Sequence, residues 1–195
     1  RYDDLTASKD KTYSGGKYDD VKVTADGGIK LKDMTIYGNL TIDEDVENGD
    51  VDLEDVTVKG NVYIYAGGKN TITFKDCDIS GNITAKKTYG STQVGLSFDS
   101  STASDLDGTL IIQGNGAIVS GSSATLKKVK VDTSKEVSLN TNVTTLDVTT
   151  KTTSLTINSG RTVNTLNVSS SAKNSDITLN GTVKTLNASG DTKLS

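Results

Sequence analysis

Three aspartates recur at one position of a repeated phrase, and carboxylates spaced in this way could bind a cation. The phrase reads LKDMTIYGNLTI from residue 31, LEDVTVKGNVYI from residue 53 and FKDCDISGNITA from residue 74. Asp33, Asp55 and Asp76 hold its third position. Carboxylates stacked about 5 Å apart repel one another unless a cation lies between them. Because calcium prefers clustered hard oxygens, the three aspartates are candidate calcium ligands.

A purely structural role for the same aspartates is the alternative, and we favour it. Aspartate suits a corner because its carboxylate accepts hydrogen bonds from nearby backbone amides, and Lys32 and Lys75 flank the repeated position with positive charge. The segment 43–55 adds further acidic residues, but its spacing matches neither an EF-hand loop nor the glycine-rich nonapeptide calcium repeat. Apart from calcium, the sequence predicts no cofactor.

Three tyrosines are candidates for binding carbohydrate. Tyr37, Tyr63 and Tyr65 fall on outward or corner positions of the repeats, where an exposed ring can stack on a sugar ring. The alternative, which we favour, is a structural role, because tyrosine suits a pleated surface and is common on strands. Tyr37 and Tyr63 also belong to different strands of a repeat, so we expect them on different faces.

The composition excludes several classes of enzyme. The chain has no histidine, which removes the Ser-His-Asp triad and the usual zinc sites. Its single cysteine, Cys77, aligns with the apolar residues Met34 and Val56, which predicts a buried and unreactive thiol. Carboxylate pairs could still perform acid–base catalysis, but no compact acid cluster lies among aromatic residues. We therefore predict that the protein is not an enzyme.

Charge and hydropathy exclude two kinds of partner. The formal net charge is −4, and residues 1–60 hold 15 of the 25 acidic residues but only 8 of the 21 basic ones. This distribution lacks the basic footprint of a nucleic-acid-binding protein. No run of 18 apolar residues is present to span a membrane. Because the chain begins RYDDL without methionine, we expect it to be a processed or excised piece of a longer protein.

The candidate residues sit on a repeat whose period predicts the fold. A period of 20–22 residues is typical of a solenoid, in which a single coil cannot bury its apolar face alone. Apolar and polar residues alternate within each copy, as in a strand, and the alternation breaks at Asp33 and at Gly38-Asn39. Three short strands and three corners per coil describe an all-β parallel β-helix. The handedness rule for parallel crossovers predicts a right-handed one.

The repeats divide one β-solenoid domain, residues 1–195, into four stretches. We predict an N-terminal cap or connection over 1–20, regular coils over 21–98, an irregular coil with a loop over 99–125, and Ser/Thr/Asn-rich coils over 126–195. The last stretch carries VTTLDV, VNTLNV and VKTLNA at 20-residue intervals from residue 143. Asn39, Asn61 and Asn82 share another corner, which predicts a ladder of stacked side-chain amides. Roughly nine or ten coils would form a column about 45 Å tall.

The stretch NGDVDLEDVTVKGNVYIYAGGKNTITFKDCDISGNITA, residues 48–85, resembles the β-helical portions of Gram-positive cell-surface proteins, which are often attached to surface-layer-homology domains. The residues that carry the resemblance are Gly49, Asp50, Val51, Leu53, Val56, Thr57, Val58 and Gly60, then Gly67, Gly68, Asn70 and Ile72. A weaker likeness is to cellulose-adhesion β-helix proteins of thermophilic anaerobes. The resemblance implies an extracellular location, at the cell surface or cell wall, and a structural role more than a reaction.

Two functional hypotheses follow from the repeats and the resemblance. The leading one is a non-enzymatic structural segment of an extracellular bacterial surface or filament protein, with other copies or other domains of that protein as partners. Because the coil pattern persists to Ser195 and an end coil has unpaired strand edges, we expect end-to-end continuation. The alternative is a carbohydrate-binding or carbohydrate-active β-helix whose partner is a cell-wall or plant polysaccharide.

Overall fold

The computed structural model describes residues 1–69 and 71–195, and it confirms the predicted parallel β-solenoid, with about nine turns. Within those residues, twenty strands form one sheet whose strand pairs are parallel. Asn70, one of the residues that carry the family resemblance, lies outside the described residues. The strands are β1 (Leu5–Ala7), β2 (Thr12–Ser14), β3 (Lys17–Tyr18), β4 (Val21–Val23), β5 (Ile29–Ile36), β6 (Leu40–Ile42), β7 (Val51–Val58), β8 (Val62–Ile64), β9 (Ile72–Lys75), β10 (Asp78–Ile79), β11 (Ile83–Ala85), β12 (Val94–Phe98), β13 (Leu110–Ile112), β14 (Ala117–Val131), β15 (Val137–Val148), β16 (Leu155–Ile157), β17 (Thr162–Val168), β18 (Asp176–Leu179), β19 (Thr182–Ala188) and β20 (Lys193–Leu194).

Each N-terminal coil contributes a strand to each of three faces of the column. The first face stacks β2, the start of β5, the start of β7, and β9. The second face stacks β3, the end of β5, the end of β7, and β10. The third face runs the whole length, through β1, β4, β6, β8, β11, β13, the ends of β14 and β15, β17 and β19. At about 4.8 Å per step, the column is roughly 45 Å tall.

The core is a single apolar cluster that follows the axis of the column. The third face shows how it is built, because its strands alternate between inward and outward side chains. In β6, for example, Leu40 and Ile42 are fully buried while Thr41 points outward. Burying one such Val, Leu or Ile side chain is worth about 1.5–3 kcal/mol, which offsets the cost of ordering the coil.

The first corner of each repeat is made by aspartate in a left-handed backbone conformation. Asp33, Asp55 and Asp76 have φ angles of 54°, 52° and 50°. Few residues other than glycine adopt such angles, and aspartate does so because its short polar side chain interacts with the local backbone. The break in apolar alternation that the sequence shows at these residues is therefore a backbone requirement.

The second corner is made by glycine because there is no room for a side chain. A Cβ on Gly60 would lie 2.2 Å from the carbonyl oxygen of Gly38 in the coil below, and one on Gly81 would lie 2.3 Å from that of Gly60. The asparagines that follow form the predicted ladder, although by a different bond. The side-chain oxygen of Asn39 accepts a hydrogen bond from the backbone N–H of Asn61 at 2.9 Å. Each bond of the ladder therefore joins a side-chain amide to the backbone and not to another side-chain amide.

Residues 1–20, where the sequence suggested a cap or a connection, contain the first coil of the column. β1 pairs with β4, and both β2 and β3 pair with β5, all in the common register. Ala7 is fully buried, and Leu5, Tyr13 and Tyr18 are half-buried against the core. The polar composition of this stretch reflects its outward residues, so the four inward positions are easily missed.

The irregular coil expected over 99–125 contains a short helix, α1 (Ser100–Asp105), where the sequence predicted a loop. Asp99 caps it by accepting the backbone N–H of Thr102 at 2.8 Å, a favourable arrangement at a helix start. Ala103 and Leu106 are buried, and Leu106 bridges to Ile79 on the second face. The helix thus stands in for a second-face strand in this coil.

The two coils built by β14 and β15 also differ from the expected three separate strands. β14 runs continuously for 15 residues and β15 for 12, so one bent strand serves all three faces. Two 3-10 turns, Glu44–Val46 and Ser170–Ala172, lie at corners of the column.

Candidate functional site

The predicted calcium ligands are exposed residues on one corner of the column. Asp33, Asp55 and Asp76 stack on successive coils because β5 pairs with β7 and β7 with β9. The backbone N–H of Asp76 donates to a carboxylate oxygen of Asp99 in the next coil at 2.9 Å. This contact shows that an acidic side chain at this edge can serve the backbone of its neighbour.

Lysines lie beside these corner carboxylates on the first face. Glu54 forms salt bridges with Lys30, with Lys32 at 3.2 Å and with Lys75 at 3.9 Å. Hydrogen bonds from Lys30 and then Lys32 lower the pKa of Glu54 to about 2. The pKa of Lys32 is raised, chiefly by Glu54 and further by the charge of Asp33. The negative potential of the corner is therefore partly balanced by side chains of the protein itself.

We expect calcium to leave the stability of the protein unchanged, because neighbouring lysines already offset part of the corner charge. Among the residues that the structure describes, no group of three or more His, Cys, Asp or Glu side chains is arranged to hold a metal ion. The measurement is a thermal melt from zero to millimolar calcium. A saturable rise in Tm that Asp55→Asn removes would contradict the structural role and place calcium at this corner.

The lysine-bound Glu54 predicts a loss of stability in acid. Its folded pKa, about 2, lies below the ordinary value of 4.5, so between these pH values the unfolded chain binds more protons than the folded one. The stabilisation is present above about pH 4.5 and is lost as the pH falls towards 2. Glu54→Gln should flatten this part of the curve of unfolding free energy against pH, whereas Glu44→Gln on an exposed turn should not. If the unfolding free energy of Glu54→Gln falls with pH in the same way as that of the parent protein, the salt bridges of Glu54 do not contribute to stability.

The structure brings two of the three candidate tyrosines together. The rings of Tyr63 and Tyr65 lie side by side, with centroids 6.3 Å apart and planes within 3° of parallel. Tyr37 lies at a different corner, after β5, and stacks instead on Tyr2 with centroids 4.7 Å apart. The expected separation of Tyr37 from Tyr63 is thus confirmed, and a single three-tyrosine platform is ruled out by their placement.

A groove of about 340 Å³ opens beside Tyr63 on the third face. Its other polar lining includes Asp20, Lys22, Asn39 and Thr41. Lys22 forms a salt bridge of 2.8 Å with Asp43, and the hydrogen bond between them raises the pKa of Lys22 and lowers that of Asp43. An aromatic ring at the edge of a groove with amide, hydroxyl and charged groups can bind a polyhydroxylated ligand.

Sequence reasoning missed most of this groove. Its residues are about twenty positions apart, and they meet only because the outward positions of β1, β4, β6 and β8 stack. Reading the outward position of each coil as one row, as was done for the inward positions, would have found them. We call this row the third-face row; its members are Thr6, Lys22, Thr41, Tyr63, Thr84, Ile111, Lys130, Asp147, Asn167 and Asn187.

Lys87 is a second feature that the sequence did not reveal. It is 1% exposed, and its ammonium donates to the side-chain oxygen of Asn48 at 3.0 Å, the carbonyl oxygen of Gly67 at 2.8 Å and the hydroxyl of Thr92 at 2.7 Å. Burial lowers the pKa of Lys87, but three acceptors match its three N–H donors. The side chain of Lys87 therefore connects segments of successive coils through its hydrogen bonds.

Cys77 occupies the position that the alignment predicted. It is buried, and burial raises the pKa of its thiol to about 11. A thiol that is neither accessible nor ionised at neutral pH is a poor nucleophile, so the side chain serves packing.

Comparisons with protein-family models, with curated proteins and with solved structures found no match. In the described part of the chain, no helix is long and apolar enough to cross a membrane.

Proposed function

We propose that this chain is a non-enzymatic structural segment of an extracellular bacterial surface or filament protein. The proposal rests on the contacts of the repeated side chains, which form hydrogen bonds from one coil to the next. At the second corner a ladder of side-chain oxygens accepts backbone N–H groups from the coil above. Its rungs run from Asp4 to Asp20, Asn39, Asn61, Asn82 and Thr109, with bonds of 2.7–3.1 Å.

This ladder supports a mechanical role because it adds bonds parallel to the axis of the column. Each rung satisfies a backbone donor at a corner, where the strand ladder is interrupted. A second ladder, made between side chains, lies on the C-terminal part of the third face, where Asn167 donates to Asp147 at 2.7 Å and Asn187 donates to Asn167 at 2.9 Å. Because these repeated residues bond neighbouring coils to each other, their repetition can be explained without a bound ligand.

In a solenoid each coil contacts only its neighbours, so further coils can extend a column without a change of architecture. We infer that the segment works as one stretch of a longer column or fibre, with other copies or other domains of the same surface protein at its ends.

Carbohydrate binding is the second candidate function, and the groove beside Tyr63 is the observation that favours it. Tyr63 supplies an aromatic ring to the groove, and Asp20, Lys22 and Asn39 supply its hydrogen-bonding groups. Tyr65, parallel to Tyr63, extends the aromatic surface beside the groove. A cell-wall or plant polysaccharide would suit this chemistry.

A glycan array combined with a reducing-sugar assay separates the two candidates. We expect neither specific binding nor release of reducing ends from cell-wall or plant polysaccharides. Binding that Tyr63→Ala abolishes and Tyr37→Ala leaves intact would establish the groove as a carbohydrate site. Release of reducing ends would overturn the non-enzymatic role.

A further inference from the structure

We propose that Lys87 and Asn48 form an intramolecular isopeptide bond, in which Nζ of Lys87 replaces the side-chain nitrogen of Asn48 and ammonia is released. The bond adds a covalent link to coils that strand pairing already joins. It does not depend on the structural role proposed above.

The Lys87 amine lies close enough to the side-chain carbonyl group of Asn48 to attack it. Nζ of Lys87 is 3.0 Å from Oδ1 of Asn48. Because a C=O bond is about 1.23 Å long, the carbonyl carbon lies no more than about 4.2 Å from Nζ. Reacting atoms in a productive arrangement are about 3–3.5 Å apart. Asn48 is exposed, so a small rotation of its side chain can bring the carbon within reach of Nζ.

The amine is held in this position by groups on its other sides. Nζ lies 2.8 Å from the carbonyl oxygen of Gly67, 2.7 Å from the hydroxyl of Thr92 and 4.9 Å from the centre of the Tyr89 ring. Lys87 is also among the most deeply buried side chains of the protein. Holding two reacting groups together in this way raises their effective concentration by orders of magnitude.

The surroundings of Lys87 favour the uncharged amine, which is the form with a lone pair for attack. The three hydrogen-bond partners that the structure describes are neutral oxygens, and none of them is a carboxylate that would stabilise the ammonium. Burial lowers the pKa of Lys87, because it disfavours the charged form. The titratable group packed against the amine is the phenol of Tyr89, whose pKa is raised by burial, so this group is also neutral.

The reaction balances without an oxidant, a reductant or a co-reactant. The lone pair of Nζ forms a bond to the carbonyl carbon of Asn48, and the electrons of the C=O bond move onto Oδ1. A proton then passes from Nζ to the side-chain nitrogen of Asn48. The Thr92 hydroxyl, which contacts Nζ, can relay this proton because one oxygen both accepts and donates. The carbonyl re-forms, the bond to the side-chain nitrogen breaks, and ammonia leaves to solvent.

The place of the two residues in the column shows what the bond would connect. Asn48, Gly67 and Lys87 lie on three successive coils, at the corner that follows β6, β8 and β11 on the third face. One covalent bond between the outer two therefore spans three coils. It also closes a loop in the unfolded chain, and such a closure favours the folded state by restricting the unfolded one.

Mass spectrometry of the purified and then denatured chain tests the proposal. The bonded chain is lighter by one ammonia, about 17 Da, and we expect this loss in the parent protein after incubation in the folded state. Trypsin should then leave Lys87 uncut and release one branched product, which joins residues 33–59 to residues 87–127. The branched product is detected in the parent protein itself, so this result does not require any variant to fold.

Three variants distinguish this bond from another loss of ammonia. Because Asn48 precedes Gly49, its side chain can also lose ammonia to the backbone nitrogen of Gly49, a reaction that leaves Lys87 free. Lys87→Met and Asn48→Ala should both remove the loss of mass, whereas Lys86→Met, at the exposed neighbouring lysine, should retain it. An unchanged mass in the folded parent protein would overturn the proposal. So would a loss of mass that persists in Lys87→Met.

Discussion

Val58→Asp is expected to abolish cooperative folding of the column, with a loss of about 4 kcal/mol or more. Val58 is 1% exposed and stacks between Ile36 below and Ile79 above. A carboxylate in this position would be buried among apolar side chains without a partner. The measurement is a thermal melt followed by far-UV circular dichroism.

The matched control introduces the same residue one position along the chain. Lys59 is exposed, and its salt bridge to Asp78 is 3.7 Å long. An exposed ion pair of this kind contributes little, so Lys59→Asp should lower Tm only slightly. Equal stability of the two variants would mean that inward and outward positions on the second face had been exchanged.

Gly60→Ala should destabilise the protein by about 3 kcal/mol, although alanine is normally a mild replacement. The added Cβ would lie 2.2 Å from the carbonyl oxygen of Gly38 and 2.7 Å from the side-chain oxygen of Asn39. Relief requires the two coils to separate at this corner, which would also lengthen the Asn39–Asn61 rung of the ladder. Denaturant unfolding measures the effect as a fall in midpoint.

Gly68→Ala provides the comparison for this second prediction. The nearest atoms to a Cβ at Gly68 are the carbonyl oxygen of Asn48 and the Cγ2 of Thr71, both at 3.3 Å, and a small shift can relieve these contacts. We expect a change well below that of Gly60→Ala. If the two variants unfold at the same denaturant concentration, the close approach of coils at the second corner does not determine stability.

Most of the fold could be predicted from the sequence because the period and the alternation are properties of single residues. Every coil must present apolar side chains at the same inward positions, so the stacks through Leu40 and Val58 are visible without a structure. The corner at Asp33 was also visible as a break in the alternation. Its left-handed backbone explains why aspartate occurs there, independently of any metal.

The departures from prediction arise where contacts between distant residues override the local pattern. The stretch 99–108 is rich in Ser, Asp and Gly and is typical of a loop, but capping by Asp99 and burial of Leu106 make it a helix and a core segment. The first coil was missed because its few inward residues lie among charged ones. In each case the deciding interaction is with a neighbouring coil.

The candidate site was less predictable than the fold. Whether Tyr63 stands beside Lys22 depends on which outward positions share a row, and that row becomes certain only when strand pairing is known. Lys87 illustrates the limit more strongly, because its acceptors come from Asn48, Gly67 and Thr92 and no pattern in the sequence joins them.

Denaturant unfolding of Asn61→Ala measures whether the repeated side chains hold one coil to the next. The side-chain oxygen of Asn61 accepts the backbone N–H of Asn82 at 2.9 Å, so alanine leaves this corner donor without its partner, and we expect a loss of about 1–3 kcal/mol. An unfolding midpoint equal to that of the parent protein would mean that the ladder does not join the coils, and it would contradict the structural role.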